Sequence, residues 1–296
     1  MRILITGGSG LVGRYLQDIL PGPNTFYMST KDGDLTDIQF VRWMISSYTP
    51  DVVIHLAAKV GGIKDNISNP VGYFEDNILM NTNILKVSHE YKVKRFIGVL
   101  STCIYPDKLE NYPMKEEDMF LGPPTPTNFS YGYAKRSLAV QIDAYNQQYG
   151  TKYNYLIPCN LYGEFDNFED ENKMHFITAL LHKIRNAKDN KIGLLGTGKP
   201  LRQFMYAKDF AEIIKLVIDN DITESFNVAP DYNYSIKEMA EIAINSINPL
   251  LKINFSNPEL DGQYRKDVDN SKMRSLIPNF KFTPLEEGIL RTYYNE

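Results

Sequence analysis

The sequence predicts an α/β protein: a doubly wound parallel sheet followed by a smaller α/β C-terminal lobe. Three observations carry that reading. Short apolar runs alternate with helical patterns through the first half of the 296 residues, the order that builds βαβ units. The runs are near-continuous in apolar character, as strands covered on both faces are. The first of them passes through a glycine cluster straight into the first helical pattern.

The runs RILIT (2–6), NTFYM (24–28), DVVIHLAA (51–58), KRFIGVLS (94–101) and NYLIP (154–158) read as buried strands. Between them, LVGRYLQDIL (11–20) and FVRWMISSY (40–48) have helical spacing. After about residue 163 the alternation weakens. EFDNFEDENK (164–173) reads as an acidic loop, HFITALLHKIRNA (175–187) as a helix, and 201–229 as strand, helix and strand. From Tyr232 onward the elements are short and punctuated by Pro and Gly.

Composition narrows the function. A hydrophobic fraction of 43% with 23% charged residues suffices for a packed core. The net charge of −4 argues against a nucleic-acid partner and leaves small anionic ligands open. The two cysteines, Cys103 and Cys159, provide neither a disulfide framework nor zinc-ligand spacing, so no metal is expected and a reducing compartment fits. The first strand begins beside Met1 and no apolar run has membrane-spanning length. A cytoplasmic protein with no membrane partner is expected.

Gly7, Gly10 and Gly13 follow the first strand as G-x-x-G-x-x-G. Glycine allows the tight turn, close approach of a pyrophosphate, and close packing of helix on strand. The helix N-terminus then offers free N–H groups to the phosphates. In this context the triplet predicts a Rossmann-type dinucleotide domain over 1–163 with a return segment at 201–230. Residues 164–200 and 231–296 are left for a substrate lobe. The second strand ends in Met28-Ser29-Thr30-Lys31, where NAD binders usually carry an acidic residue for the ribose. Hydroxyls and Lys31 suit a 2′-phosphate, favouring NADP(H), although Lys31 read alone is equally a solvated loop lysine.

Tyr131 and Lys135 stand four residues apart in a helical segment and so share a face. A neighbouring ammonium is expected to lower the phenol pKa and fit Tyr131 for proton exchange with a carbonyl oxygen. Ser101 ends the fourth strand, at the carboxyl edge where such sheets build their sites. With the glycine turn, Ser101, Tyr131 and Lys135 in this order, the chain resembles the extended short-chain dehydrogenase/reductases, which act mainly on nucleotide sugars. The resemblance implies a Ser101–Tyr131–Lys135 triad. It also carries Leu11, Val12, Asp34, Leu35, Leu56, Ala57 and Ala58 to the cofactor, together with Pro158, Asn160, Leu161 and His175.

Within that family the run STCIYPDK (101–108) lacks the acidic pair of the dehydratases. It is similar to the branch that epimerises and reduces GDP-4-keto-6-deoxy-D-mannose. The similarity continues in HLAAKVGGI, SYGYAKR, GTGKPLRQF and DGQYRK, almost to the C-terminus. It implies Cys103 as base and His175 as acid for inversion at C3 and C5. It implies a GDP-sugar substrate held by Asn160, Lys183, Leu195, Arg202 and Lys266, and a homodimer with a helical interface. Read from the residues alone, Cys103 is also a small buried hydrophobe and His175 a structural histidine, while Cys159 is packing. Three positions leave the branch pattern: Glu164-Phe165 in place of Pro-His, Thr178 in place of proline, and Leu195 in place of tryptophan. Two rival readings remain open: a C4 reductase with Cys103 and His175 idle, and an NADP-binding regulatory subunit without turnover.

Overall fold

A computed structural model describes residues 1–169, 174–258 and 261–295. The final residues of the expected acidic loop, 170–173, lie outside that set.

The five expected strands form, with trimmed ends, as β1 (Ile3–Thr6), β2 (Thr25–Met28), β3 (Val52–His55), β4 (Arg95–Val99) and β5 (Lys152–Pro158). The chain then makes β6 (Asn160–Tyr162), β7 (Lys191–Leu195), β8 (Leu201–Arg202), β9 (Phe204–Tyr206) and β10 (Phe226–Val228). The last strands are β11 (Tyr234–Ser235) and β12 (Lys252–Ser256). Helices α1 (Leu11–Ile19), α2 (Ile38–Tyr48), α3 (Ile63–Ser68), α4 (Pro70–Glu90) and α5 (Phe129–Tyr149) fall in the first half. They are followed by α6 (Phe176–Arg185), α7 (Ala207–Asp219), α8 (Ile236–Ile247), α9 (Ser271–Leu276) and α10 (Leu285–Tyr294).

Six strands build one parallel sheet in the order β10-β5-β4-β3-β1-β2. Every residue of β1, β3 and β4 is buried, which explains why these runs are largely apolar; of the polar exceptions, Thr6 and His55 are hydrogen-bonded to each other at 2.7 Å. The chain runs outward from β1 to β2 and then returns to β3 on the opposite side of β1. The carboxyl ends of β1 and β3 therefore diverge at a topological switch point, where open α/β sheets bind ligands.

Local chemistry sets the helix ends. The Asp37 carboxylate caps α2 by accepting from Gln39 N, and Asn69 caps α4 by accepting from Gly72 N, with Pro70 as the first helical residue. Gly150 ends α5 in the left-handed region at φ +65°. Ser235 and Glu238 form a reciprocal capping box at the start of α8.

Beyond residue 163 the chain crosses between two regions. The strand β10 joins the large sheet beside β5, and α7 packs against α1. By contrast, β7 pairs with β12 and β8 with β11, outside the large sheet. Two further ties bring the C-terminal chain back. Met114 N donates to Asp267 O at 2.9 Å, and Asp269 N donates to Met114 O at 2.8 Å. The Gln263 amide donates to Pro106 O at 3.2 Å and to Asp107 O at 2.9 Å. Segment 261–269 is thereby laid along the loop that follows β4. No described helix is long and apolar enough to cross a membrane.

Candidate active site

A cavity of about 1160 Å³ opens along the carboxyl edge of the sheet. At one end it is lined by Gly7, Gly10, Leu11, Val12 and Gly13. Gly7 adopts φ +74°, and a Cβ there would stand 2.8 Å from Ala57 N. A Cβ on Gly13 would stand 2.5 Å from Gly7 O, so β1, the turn and α1 close together only without side chains. Gly10 is the N-cap of α1, with no side chain covering the helix end. Exposed N–H groups, absent side chains and room beside them suit a dinucleotide pyrophosphate.

The walls continue through Asp34, Leu35, Leu56, Ala57 and Ala58, then Pro158, Asn160 and Leu161. Of the residues expected at the cofactor, Lys31 alone does not line the cavity. The reason is the turn after β2. The Asp32 carboxylate accepts from both Ser29 N and Ser29 Oγ at 2.8 Å, leaving Lys31 on the exposed side. Ser29 and Thr30 remain on the cavity wall, the Ser29 hydroxyl committed to Asp32.

Ser101, Cys103, Tyr131, Lys135 and His175 line this same cavity. Ser101 follows β4, and its Oγ accepts from Cys103 N at 3.3 Å. That contact caps a single 3-10 turn, Thr102–Ile104, which carries the cysteine. Tyr131 and Lys135 lie on α5. Lys135 is fully buried and its Nζ donates to Val99 O at 2.7 Å. Desolvation brings its pKa down to about 8. The expected lowering of the Tyr131 pKa is corrected here. Burial pushes the phenol up, and nearby Cys103 and Tyr73 add to the rise. Tyr131 is therefore held as a neutral phenol, a proton donor.

The Cys103 sulfur receives Asn128 Nδ2 at 3.1 Å and Lys266 Nζ at 3.1 Å. Burial works to raise its pKa, but the Lys266 charge and hydrogen bonds from Ser101, Lys266 and Asn128 outweigh burial and hold the thiol below its ordinary value. Cys159 is buried among apolar neighbours, and desolvation pushes its thiol up, in keeping with packing.

The His175 side chain is 48% exposed, and its Nδ1 lies 3.1 Å from both carboxylate oxygens of Asp166. That hydrogen bond, against some desolvation, raises the imidazole pKa. Burial works to raise the Asp166 carboxyl, but His175, Thr178 and the Asn167 N–H hold it below the usual range. The Thr178 hydroxyl donates to the same carboxylate. Thr178, which departs from the branch pattern, thus clamps the aspartate that orients His175. A second departure, Glu164, accepts from the Tyr15 hydroxyl on α1 and from the Tyr206 hydroxyl at 2.7 Å.

Among the expected substrate residues, Asn160 lines the cavity; Lys183, Leu195, Arg202 and Lys266 do not. Lys183 Nζ donates to Gly193 O at 2.7 Å, tying α6 to β7. Leu195 is exposed at the end of β7. Arg202 Nη1 donates to Leu201 O at 2.7 Å; burial lowers its pKa, while Cys103 and Asp261 act the other way. Lys266, expected at the diphosphate, donates from Nζ to the Cys103 sulfur in this structure.

Three contributors lacked a usable signal in the sequence: Asp166, Thr178 and Asn128. Asp166 stands nine residues before His175 across an irregular loop, a separation with no periodicity to mark it. No group of three or more potential metal ligands occurs among the described residues.

Known proteins share both the fold and the chain length. A Dictyostelium discoideum GDP-L-fucose synthase is 37% identical over 97% of this chain and 92% of its own. The structure of a Naegleria fowleri GDP-L-fucose synthetase bound to NADP superposes with a TM-score of 0.87 at 35% identity, over 99% of this chain and 91% of its own. A GDP-6-OMe-4-keto-L-xylo-heptose reductase from C. jejuni superposes with a TM-score of 0.90 at 25% identity, over 99% of this chain and 96% of its own. Residues 3–229, which carry the glycine turn, Ser101, Tyr131, Lys135 and the whole six-stranded sheet, match the model of the NAD dependent epimerase/dehydratase family, and the chain belongs to that family.

Proposed function

We propose that the protein is an NADPH-dependent GDP-L-fucose synthase, converting GDP-4-keto-6-deoxy-D-mannose to GDP-L-fucose by 3,5-epimerisation and C4 reduction. The observation that carries this reading is that Cys103 and His175 line the same cavity as Ser101, Tyr131 and Lys135. One oxyanion site can then serve both reactions. The identity to GDP-L-fucose synthases over nearly the full chain supports it.

A ketone at C4 acidifies the protons at C3 and C5, because their loss places charge on O4. Ser101 and the Tyr131 phenol donate to O4 and stabilise that charge. Cys103, as thiolate, takes a proton from carbon, and the His175 imidazolium returns one to the other face. The bond to Asp166 leaves Nε2 as the nitrogen free for this transfer. NADPH, when bound, supplies the hydride for C4. Tyr131 gives its proton to O4, leaving a phenolate one helical turn from Lys135 on α5. The phenol is protonated at neutral pH and so has its proton to give when O4 gains charge.

The glycine turn, the uncovered start of α1 and the apolar walls fit the dinucleotide, with Thr30 as a hydroxyl partner for a 2′-phosphate. Exposed apolar residues on adjacent helices support the expected homodimer: Val71, Phe74 and Leu79 on α4, and Tyr133 and Val140 on α5. Light scattering at micromolar concentration tests it, and a monomeric mass overturns it. A cytoplasmic setting suits an enzyme whose cysteine must stay reduced.

The deciding experiment incubates the protein with NADPH and GDP-4-keto-6-deoxy-D-mannose in deuterated water. GDP-L-fucose labelled at C3 and C5 is expected. Absence of NADPH oxidation overturns the proposal. Oxidation without label leaves the C4 reductase, the reading favoured by the resemblance to the heptose reductase.

A further inference from the structure

Cys103 lies at the meeting of four stretches of chain. The 3-10 turn after β4 carries it, α5 presents Tyr131, and the loop ahead of α5 presents Asn128. The fourth is segment 261–269, which returns from the lobe and is hydrogen-bonded to the 106–114 loop through Gln263 and the Met114–Asp267 and Met114–Asp269 pairs. These main-chain ties fix where Lys266 must fall. Its neighbour Arg265 is drawn aside by a two-bond pair with Asp267, at 2.7 and 2.9 Å, and by stacking over Tyr112. Lys266 is therefore delivered to the sulfur by a built connection and not by the chance of a long side chain.

We propose that Lys266 is a positioning residue for proton transfer at Cys103: its ammonium, seconded by the Asn128 amide, keeps the sulfur in its anionic, proton-accepting form. This rests on the proposed role of Cys103 in the epimerisation. In the step itself the C–H bond breaks, its proton becomes the Cys103 S–H, and its electron pair passes into the enolate. Lys266 keeps its three protons throughout. The geometry suits that division of labour, because an ammonium at 3.1 Å stabilises the thiolate over the thiol. The other charged or titratable groups facing the sulfur are Arg202 on β8, His175 ahead of α6 and Tyr131 on α5. Arg202 and protonated His175 act in the same direction as Lys266, at longer range. Tyr131, neutral, adds no charge.

The pH dependence of Cys103 alkylation by iodoacetamide tests this, read by peptide mass spectrometry on the full chain without substrate. Buried Cys159 should stay unreactive and serves as an internal reference. Wild-type protein should show a midpoint below the ordinary thiol value of about 8.5. Lys266→Met should move it up by about one pH unit, with about tenfold slower labelling at pH 7. Lys266→Arg should restore it. Lys266→Gln, which keeps a donor but no charge, should behave as Lys266→Met and stands in if that variant does not fold. In turnover, kcat for deuterium incorporation should fall at pH 7 with KM for the keto-sugar little changed. A midpoint in Lys266→Met and Lys266→Gln equal to that of wild type overturns the proposal. So does a more than tenfold loss of GDP affinity with the midpoint unmoved, which returns Lys266 to the diphosphate. Because labelling needs no substrate, it stands or falls separately from the assignment of the keto-sugar.

Discussion

The two ends of the cavity are built in opposite ways. The cofactor end is one uninterrupted stretch, β1, the glycine turn and α1, and it acts through backbone N–H groups and the absence of side chains. The proton-transfer end is assembled from side chains of separate segments. Cys103 follows β4, Asn128 precedes α5, Asp166 and His175 flank an irregular loop, and Lys266 returns from the lobe. A contiguous site tolerates little local change and is indifferent to remote changes. An assembled site can be tuned one partner at a time, and each partner leaves its mark on a pKa.

The largest expected effect separates the two chemistries at the assembled end. Cys103→Ser should lower deuterium incorporation at C3 and C5 by about 10²- to 10⁴-fold, the usual worth of a positioned general base. Reduction of an already epimerised ketone should fall far less. Equal losses would remove Cys103 from the epimerisation.

At the contiguous end, Gly13→Ala places a methyl group 2.5 Å from Gly7 O. NADPH affinity, followed by fluorescence titration, should weaken by about 10- to 100-fold, as expected for displacement of backbone donors worth about 1.5–3 kcal/mol with a charged partner. The alkylation midpoint of Cys103 should not move. If it does, the two ends are not independent.

Asp166→Asn tests how His175 is held. The Asp166 bond raises the imidazole pKa, so the protonated acid persists up to that raised value and is lost as pH rises through it. Without the carboxylate, the alkaline limb of the epimerisation profile should move to lower pH. An unmoved alkaline limb would mean that another group limits the reaction there.

The smallest effect concerns the tie between the ends. Glu164 joins Tyr15 of α1 to Tyr206, two residues from the aspartate that holds His175. Glu164→Gln should cost about 1 kcal/mol, or about 2–4 °C in Tm. A displaced alkaline limb in this variant would reveal that the tie also orients His175.

The sheet strands were legible because burial on both faces favours apolar residues at most positions, and RILIT, DVVIHLAA and KRFIGVLS have them. The small pairs beyond residue 163 were not, because β8 and β11 span only two residues each and have no period to read. The glycine turn from Gly7 to Gly13 was legible because it is one contiguous stretch. Ser101, Cys103, Tyr131 and His175 were recognisable from their neighbours in sequence, but their partners were not. Lys31, Lys183 and Lys266 are alike as residues of a charged, flexible type. Only the Asp32 turn, the Gly193 carbonyl and the strapping of 261–269 onto 106–114 separate a solvated lysine, a structural one and one seated on the sulfur.

By itself, then, the sequence determined the parallel sheet and the glycine turn and singled out the candidate reactive side chains, because backbone conformation and burial are decided over a few neighbouring residues. The charge states of those side chains were decided by the tertiary structure alone. They depend on which donors and cations arrive within about 3 Å, and for Cys103 the nearest cation, Lys266, comes from 163 residues away.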